Sequence, residues 1–423
     1  MSDKDLRLLL YHDFMEDPLL LLYKKSKKLA DMTYQFYPAL IKKATHRGLF
    51  DNLWLFNIAD YLLCADNLLS RTLAFTSYNN VKTELLCLAE HELDLLCALC
   101  AAPLPATQEG LVEKIVCDFS VIKTNLPYDK HYRGALSFLA ELLKEADSKK
   151  ILDFLGSFHH TWGYGDIVRF GFFDWQDGLL GVSRPDLITL KQLIGYHQQK
   201  EIILTNTEAF LNNKPANNIL LYGQKGTGKS SLVKAVVNHY ADLGLRLLSL
   251  SRYSLRELPQ ILQQLSEYRQ KFIIFLDDLS FDVDEKDYKY IKTYIEGGVA
   301  VLPENVLLYA TSNRRHLVAE SWHDRQENGE DIHPGDTVAE KLSLVDRFGI
   351  TIQFAALDQQ EYLEIVEGIA QNENLLLERE DLHREALKWE RWQNSRSART
   401  ARQFINYLQG RMLNKDIDER KDD

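Results

Sequence analysis

The sequence predicts an α/β protein: a parallel sheet with helices on both faces, followed by a small C-terminal helical domain and preceded by an all-α N-terminal domain. Three observations carry that prediction. Apolar residues recur at helical spacing through the first 158 residues. From about residue 186, short apolar strand-like runs alternate with helical stretches, which is the pattern of a parallel sheet. One of those runs leads straight into a glycine-rich loop that opens a helix.

The N-terminal helices come first. Leu53, Phe56, Ala59, Tyr61, Leu62 and Leu63 share one helical face, as do Leu85, Leu86, Leu93, Leu96 and Leu99. Residues 85–102 form the most apolar stretch, but Glu90, His91, Glu92 and Asp94 interrupt it, so it reads as a buried helix and not a membrane span. The opening residues mix charges of both signs and show no secretory leader. The five cysteines (Cys64, Cys87, Cys97, Cys100 and Cys117) are an odd number confined to the first third, which argues against a disulfide framework and for a reducing, cytoplasmic setting. Cys97 and Cys100 form a lone CxxC inside an apolar helical run and read as core.

Residues 159–184 interleave glycine with Trp162, Tyr164, Phe170, Phe172, Phe173 and Trp175. Two readings arise, a stacking platform for single-stranded nucleic acid near Arg169 or a linker or hairpin that packs its aromatics. A single arginine makes a poor polyanion groove, so the second is preferred. The whole-chain balance, Lys+Arg 50 against Asp+Glu 61 for a net charge of −11, also disfavours nucleic acid as the large partner and favours protein.

Strands are expected at 218–222, 246–250, 272–276, 306–310 and 351–354, and helices at 358–370, 382–392 and 398–412. The implied organisation is a helical domain over 1–158, a linker over 159–184, an α/β domain over 185–356, a second helical domain over 357–414 and a charged tail over 415–423.

The strongest motif is Gly223-Gln224-Lys225-Gly226-Thr227-Gly228-Lys229-Ser230, a complete GxxxxGK[ST] followed by Ser231. Glycines let backbone N–H groups curl around phosphate oxygens, and the helix N-terminus adds its positive end. Lys229 is placed to reach the β- and γ-phosphates and Ser230 to coordinate Mg²⁺. The apolar run 272–276 ends in Asp277-Asp278, at the strand end where ligands bind in open α/β sheets. Asp277 is assigned to Mg²⁺ and Asp278 to the attacking water. Asn313, ending the next strand, is a second candidate for positioning that water.

In this order the motifs resemble the AAA+ ATPase superfamily over about 190–413. The stretches FLDDLSF, YATSNRRHL and EKLSLVDRFG look like the bacterial AAA+ group catalogued as domain of unknown function 815. The resemblance implies Mg²⁺-dependent ATP hydrolysis coupled to remodelling or loading of a macromolecular partner. It implies sensor 1 at Asn313, an arginine finger at Arg347 acting in trans in a homo-oligomer, and sensor 2 at Arg399, with Arg402 as its rival. The segment 190–196, with Ile194 and Gly195, resembles the adenine-pocket lining. Two departures stand out. The second acid is Asp278 where related ATPases carry Glu, which leaves open a nucleotide-gated scaffold that hydrolyses little. The stretch Ser251-Arg252-Tyr253 is short for an aromatic pore loop, and Ser254 with Glu257 reads as a capping box that starts a helix. The DDL ending is similar to helicase loaders, an alternative that would engage nucleic acid. His316, His323 and His333 lie among acids in 314–336 at spacings that fit no standard metal site.

Overall fold

The structure is a computed structural model that describes residues 7–107, 110–120, 130–279, 291, 294, 302–313, 348–375 and 377–419. The chain divides into two compact units. One is built on Met1–Gly171 with Gly181–Pro185 and Tyr268–Gln270; the other is built on Phe172–Leu180, Asp186–Glu267 and Lys271–Asp423.

The first unit is helical: α1 (His12–Met15), α2 (Pro18–Ser26), α3 (Ala30–Arg47), α4 (Leu53–Leu63), α5 (Leu68–Phe75), α6 (Thr83–Ala101), α7 (Leu111–Cys117), α8 (Lys130–Glu145) and α9 (Ser148–Trp162). Helix α4 is buried on nearly every side, as its almost uniformly apolar sequence demands, and the Asn52 side chain caps it by accepting from Leu55 N–H at 3.1 Å. Helix α6 contains all but the last residue of the apolar stretch 85–102 and buries Ala89, Leu93, Leu96, Cys97 and Leu99. Its one buried acid is satisfied: the Glu92 carboxylate accepts from the N–H groups of Leu9, Leu10 and Tyr11 at 2.7–3.2 Å. Burial pushes the Cys97 thiol up to about 11 and the Cys100 thiol further still, so neither favours the thiolate that metal or redox chemistry needs. Asp60, also buried, accepts from Arg47 Nη1 at 2.7 Å and from the Tyr132 hydroxyl at 2.5 Å, and Arg169 Nε lies 3.7 Å from it. Arg169 is 5% exposed and is thus turned into the helical unit.

The second unit holds a seven-stranded sheet in the order β2-β1-β4-β5-β6-β3-β7. Its strands are β1 (Phe172–Trp175), β2 (Leu179–Gly181), β3 (Ile219–Gly223), β4 (Arg246–Ser249), β5 (Phe272–Leu276), β6 (Val306–Ser312) and β7 (Ile350–Phe354). The pairs β1–β4, β4–β5, β5–β6, β6–β3 and β3–β7 are all parallel. Each of the five expected strands is present. The aromatic segment supplies two more, with Phe172 in register with Leu247. Strands β3, β5 and β6 are buried throughout or nearly so, which is why they read as continuous apolar runs.

Helix α10 (His197–Leu211) precedes β3, α11 (Lys229–His239) follows the glycine loop, and α12 (Leu258–Ser266) leads towards β5. Here the structure corrects one expectation. Residues Arg252–Glu257 form a 3₁₀ turn and α12 starts only at Leu258, with Pro259 in its first turn and no side-chain cap, so Ser254 and Glu257 are not a capping box. Tyr253 is 72% exposed.

After β7 come α13 (Gln359–Asn372), α14 (Arg379–Gln393) and α15 (Ala398–Glu419). A reciprocal Asp358–Glu361 capping box opens α13. These helices share their own core of Tyr362, Ile365, Val366, Ile369, Phe404 and Ile405, against which Ile194 and Tyr196 pack. Among the described residues no helix is long and apolar enough to cross a membrane.

Candidate nucleotide site

The glycine loop leaves the sheet between two neighbours, because β3 pairs with β6 on one side and β7 on the other. Gly223 holds φ +136°, and a Cβ there would lie 2.0 Å from the Phe354 carbonyl oxygen, so the position excludes any side chain. Gly226 and Gly228 take φ +85° and +89°, turning the backbone before α11 begins at Lys229.

Lys229 is buried, 6% exposed. Its Nζ donates to the carbonyls of Gly223 (2.9 Å) and Gln224 (2.8 Å) and to Asn313 Oδ1 (3.2 Å). Burial lowers its pKa from the ordinary lysine value, and the nearby charges of Asp278 and Asp277 oppose that shift. One position on, the Ser230 hydroxyl donates to Asp277 Oδ1 at 2.5 Å. The Asp278 carboxylate accepts from Asn313 Nδ2 at 2.6 Å. Asp278 sits at φ +53°, a left-handed conformation rare for a non-glycine residue and concentrated at functional sites.

These residues line a cavity of about 610 Å³, within the range of small-molecule sites. Its walls include Ile194, Tyr196, the run 225–231, Asp277, Asp278, Asn313, Ile365 and Arg399. Gly223 and Gln224 are not among those walls, although their carbonyls hold Lys229, while Gly195, at φ +76°, lines a neighbouring cavity of about 400 Å³. The Tyr196 ring stands 4.9 Å from Phe354, and its hydroxyl is buried with no partner among the described residues. Burial raises that hydroxyl's pKa, and Glu361 adds to the rise.

The two arginine rivals separate. Arg399 N–H donates to Gly226 O at 3.2 Å, and no carboxylate among the described residues pairs with its guanidinium. Arg402 also lines the cavity, but its guanidinium is paired with Glu373 at 2.5 Å. Arg347 lies outside the described residues, as do Arg314, Arg315 and the histidine-bearing stretch 314–336. Among the described residues no three His, Cys, Asp or Glu side chains cluster as a metal site. The Ser230–Asp277 pair is a different kind of donor set: two hard oxygens beside a phosphate loop suit Mg²⁺, which takes one or two protein oxygens together with substrate phosphates.

Sequence reasoning passed over Thr311 and Phe354. Thr311 Oγ1 donates to Asp277 Oδ1 at 2.6 Å; its one signal is a hydroxyl in a strand that is buried along its whole length. Phe354 carries the carbonyl that crowds Gly223 and accepts from Gln224 N–H at 3.3 Å, a strand-end position that no motif marks.

A parallel sheet, a glycine loop opening a helix, paired acids on the adjacent strand and a C-terminal helical cluster define a P-loop nucleotide-binding protein of the AAA+ class. More narrowly, the chain belongs to the family described as "Protein of unknown function (DUF815)", whose sequence model matches residues 168–412, more than half of the chain. It is also similar to the 26S proteasome regulatory subunit 4 homolog of Saccharomyces cerevisiae, 25% identical over 187 residues, which cover 40% of this chain and 41% of that protein. The chain thus spans about two fifths of that relative's length. Among solved structures, the RuvB Holliday junction branch migration motor of Thermotoga maritima matches at 15% identity and a TM-score of 0.33, covering 53% of this chain and 72% of that one. The replication initiator DnaA bound to AMPPCP and single-stranded DNA matches at 20% identity and a TM-score of 0.36, covering 56% of this chain and 70% of that one.

Proposed function

We propose that this protein binds ATP with Mg²⁺ and hydrolyses it to ADP and phosphate, coupling turnover to remodelling of a macromolecular partner. The observation that carries the reading is the convergence of Lys229, Ser230, Asp277, Asp278 and Asn313 on one cavity at hydrogen-bond distances. In this reading the loop N–H groups of residues 225–230 cradle the phosphates and Lys229 neutralises their charge. Ser230 and Asp277 would hold Mg²⁺, which would supply positive charge against the charge developing on the phosphate oxygens. Asp278 orients the attacking water as general base and Asn313 orients Asp278. Arg399 reaches the phosphates from the helical lid. Family resemblance supports Arg347 as a finger donated to a neighbouring copy, hence a homo-oligomer. The N-terminal helical unit is read as the receiver of a protein client. Five free thiols support a cytoplasmic setting.

The test is ATP binding by titration calorimetry. Lys229→Ala should bind no ATP; binding equal to that of the native chain would sink the assignment. A second reading, a nucleotide-gated scaffold with little turnover, is favoured by Asp278 itself. It is one methylene shorter than Glu, and a misplacement of about 1 Å can cost about 10²-fold in rate. An assembling ATPase gains specific activity as protein concentration rises, whereas a scaffold stays near zero.

A further inference from the structure

Thr311 is buried in β6, 2% exposed. Its hydroxyl does two things at once: it donates to Asp277 Oδ1 at 2.6 Å and accepts from the backbone N–H of Asp278 at 2.9 Å. The main chain extends the link by one residue, with Leu279 N–H donating to Thr311 O at 2.7 Å. The Asp277 oxygen that Thr311 holds is the same one that accepts from Ser230. The N–H it holds belongs to the residue at φ +53°, a conformation costing on the order of 1–3 kcal/mol and kept only where surroundings enforce it.

We infer that Thr311 is a positioning residue for the metal end of this site: it aims the Asp277 carboxylate at Ser230 and locks the backbone turn that presents Asp278. The inference rests on the nucleotide reading above. Two adjacent acids must face different ways to serve a cation and a water, and β5 alone does not separate them. The Thr311 hydroxyl does, because it ties the side chain of the first and the main chain of the second to a neighbouring, fully paired strand.

The experiment is calorimetric titration of the full chain with a non-hydrolysable ATP analogue, in EDTA and then in Mg²⁺. Thr311→Val preserves shape and puts a methyl group where the hydroxyl was. It should bind the analogue like the native chain in EDTA and lose about 10- to 100-fold of the affinity gained with Mg²⁺, the usual effect of removing a group that orients a metal ligand. Thr311→Ser, which keeps the hydroxyl, should regain most of that loss. An undiminished Mg²⁺-dependent gain in Thr311→Val overturns the inference and leaves the nucleotide reading standing. So does loss of binding in EDTA as well, which would mark a packing role. A native chain that binds no analogue under either condition overturns the nucleotide reading, and this inference with it.

Discussion

Asn313 Nδ2 donates to Asp278 Oδ1 at 2.6 Å, so the amide ending β6 holds the second acid ending β5. The other end of the same amide accepts from Lys229 Nζ at 3.2 Å. One side chain therefore connects the phosphate-loop lysine to the group assigned to the attacking water. Asn313→Ala should retain ATP affinity near the native value while the hydrolysis rate at saturation falls by about 10²-fold, the scale of removing one oriented donor from a reacting centre. Single-turnover measurement is the check, and equal rates would detach Asn313 from the chemistry.

Arg399 and Arg402 lie one helical turn apart and both line the cavity, but they differ in commitment. Arg402 is held by Glu373 in a partly exposed ion pair, an interaction worth only about 0–1 kcal/mol. Arg399 is anchored by its backbone to Gly226. Arg399→Ala should lower turnover by about 10-fold or more, as loss of one charge-assisted hydrogen bond predicts, with Arg402→Ala far milder. The reverse order in steady-state rates would hand the lid role to Arg402.

The helical unit has its own pH signature. His159 is buried, and that burial lowers its pKa from 6.5 to about 4 against hydrogen bonds to the backbone of Gly163 and Leu62. Between those values the unfolded chain binds a proton that the folded one refuses. The stabilisation is complete above pH 6.5 and is lost as pH falls towards 4, on the order of 3 kcal/mol in all. Urea unfolding followed across this window should show a steeper pH slope in the native chain than in His159→Gln; identical slopes would rule the group out.

Local chemistry made most of this legible, and long-range pairing did not. Continuous apolar runs placed β3, β5 and β6 to within a residue or two because strands covered on both faces carry no alternation to blur them. Residues 172–181 read only as a linker or hairpin because their glycines and aromatics carry the signature of a turn-rich connection. Their strand character comes from the parallel partner β4, some 70 residues away in sequence, whose pairing no local pattern encodes. At the site, the loop residues and the two acids announced themselves by motif. The left-handed backbone of Asp278 and the double hydrogen bond of Thr311 did not, since both depend on β5 and β6 lying side by side in one register.

The hairpin of β1 and β2 bears on how the protein can be dissected. Strand β1 covers the outer edge of β4 through parallel pairing from Phe172 to Asp174. A fragment cut at 185, where the strand–helix alternation begins, would leave the β4 N–H and C=O groups on that side unpaired, an open template for association with any extended chain. A fragment begun near residue 168, where the family match also begins, carries its own edge protection. The excisable module is therefore defined by the strand that shields it, and that strand lies well upstream of the phosphate loop.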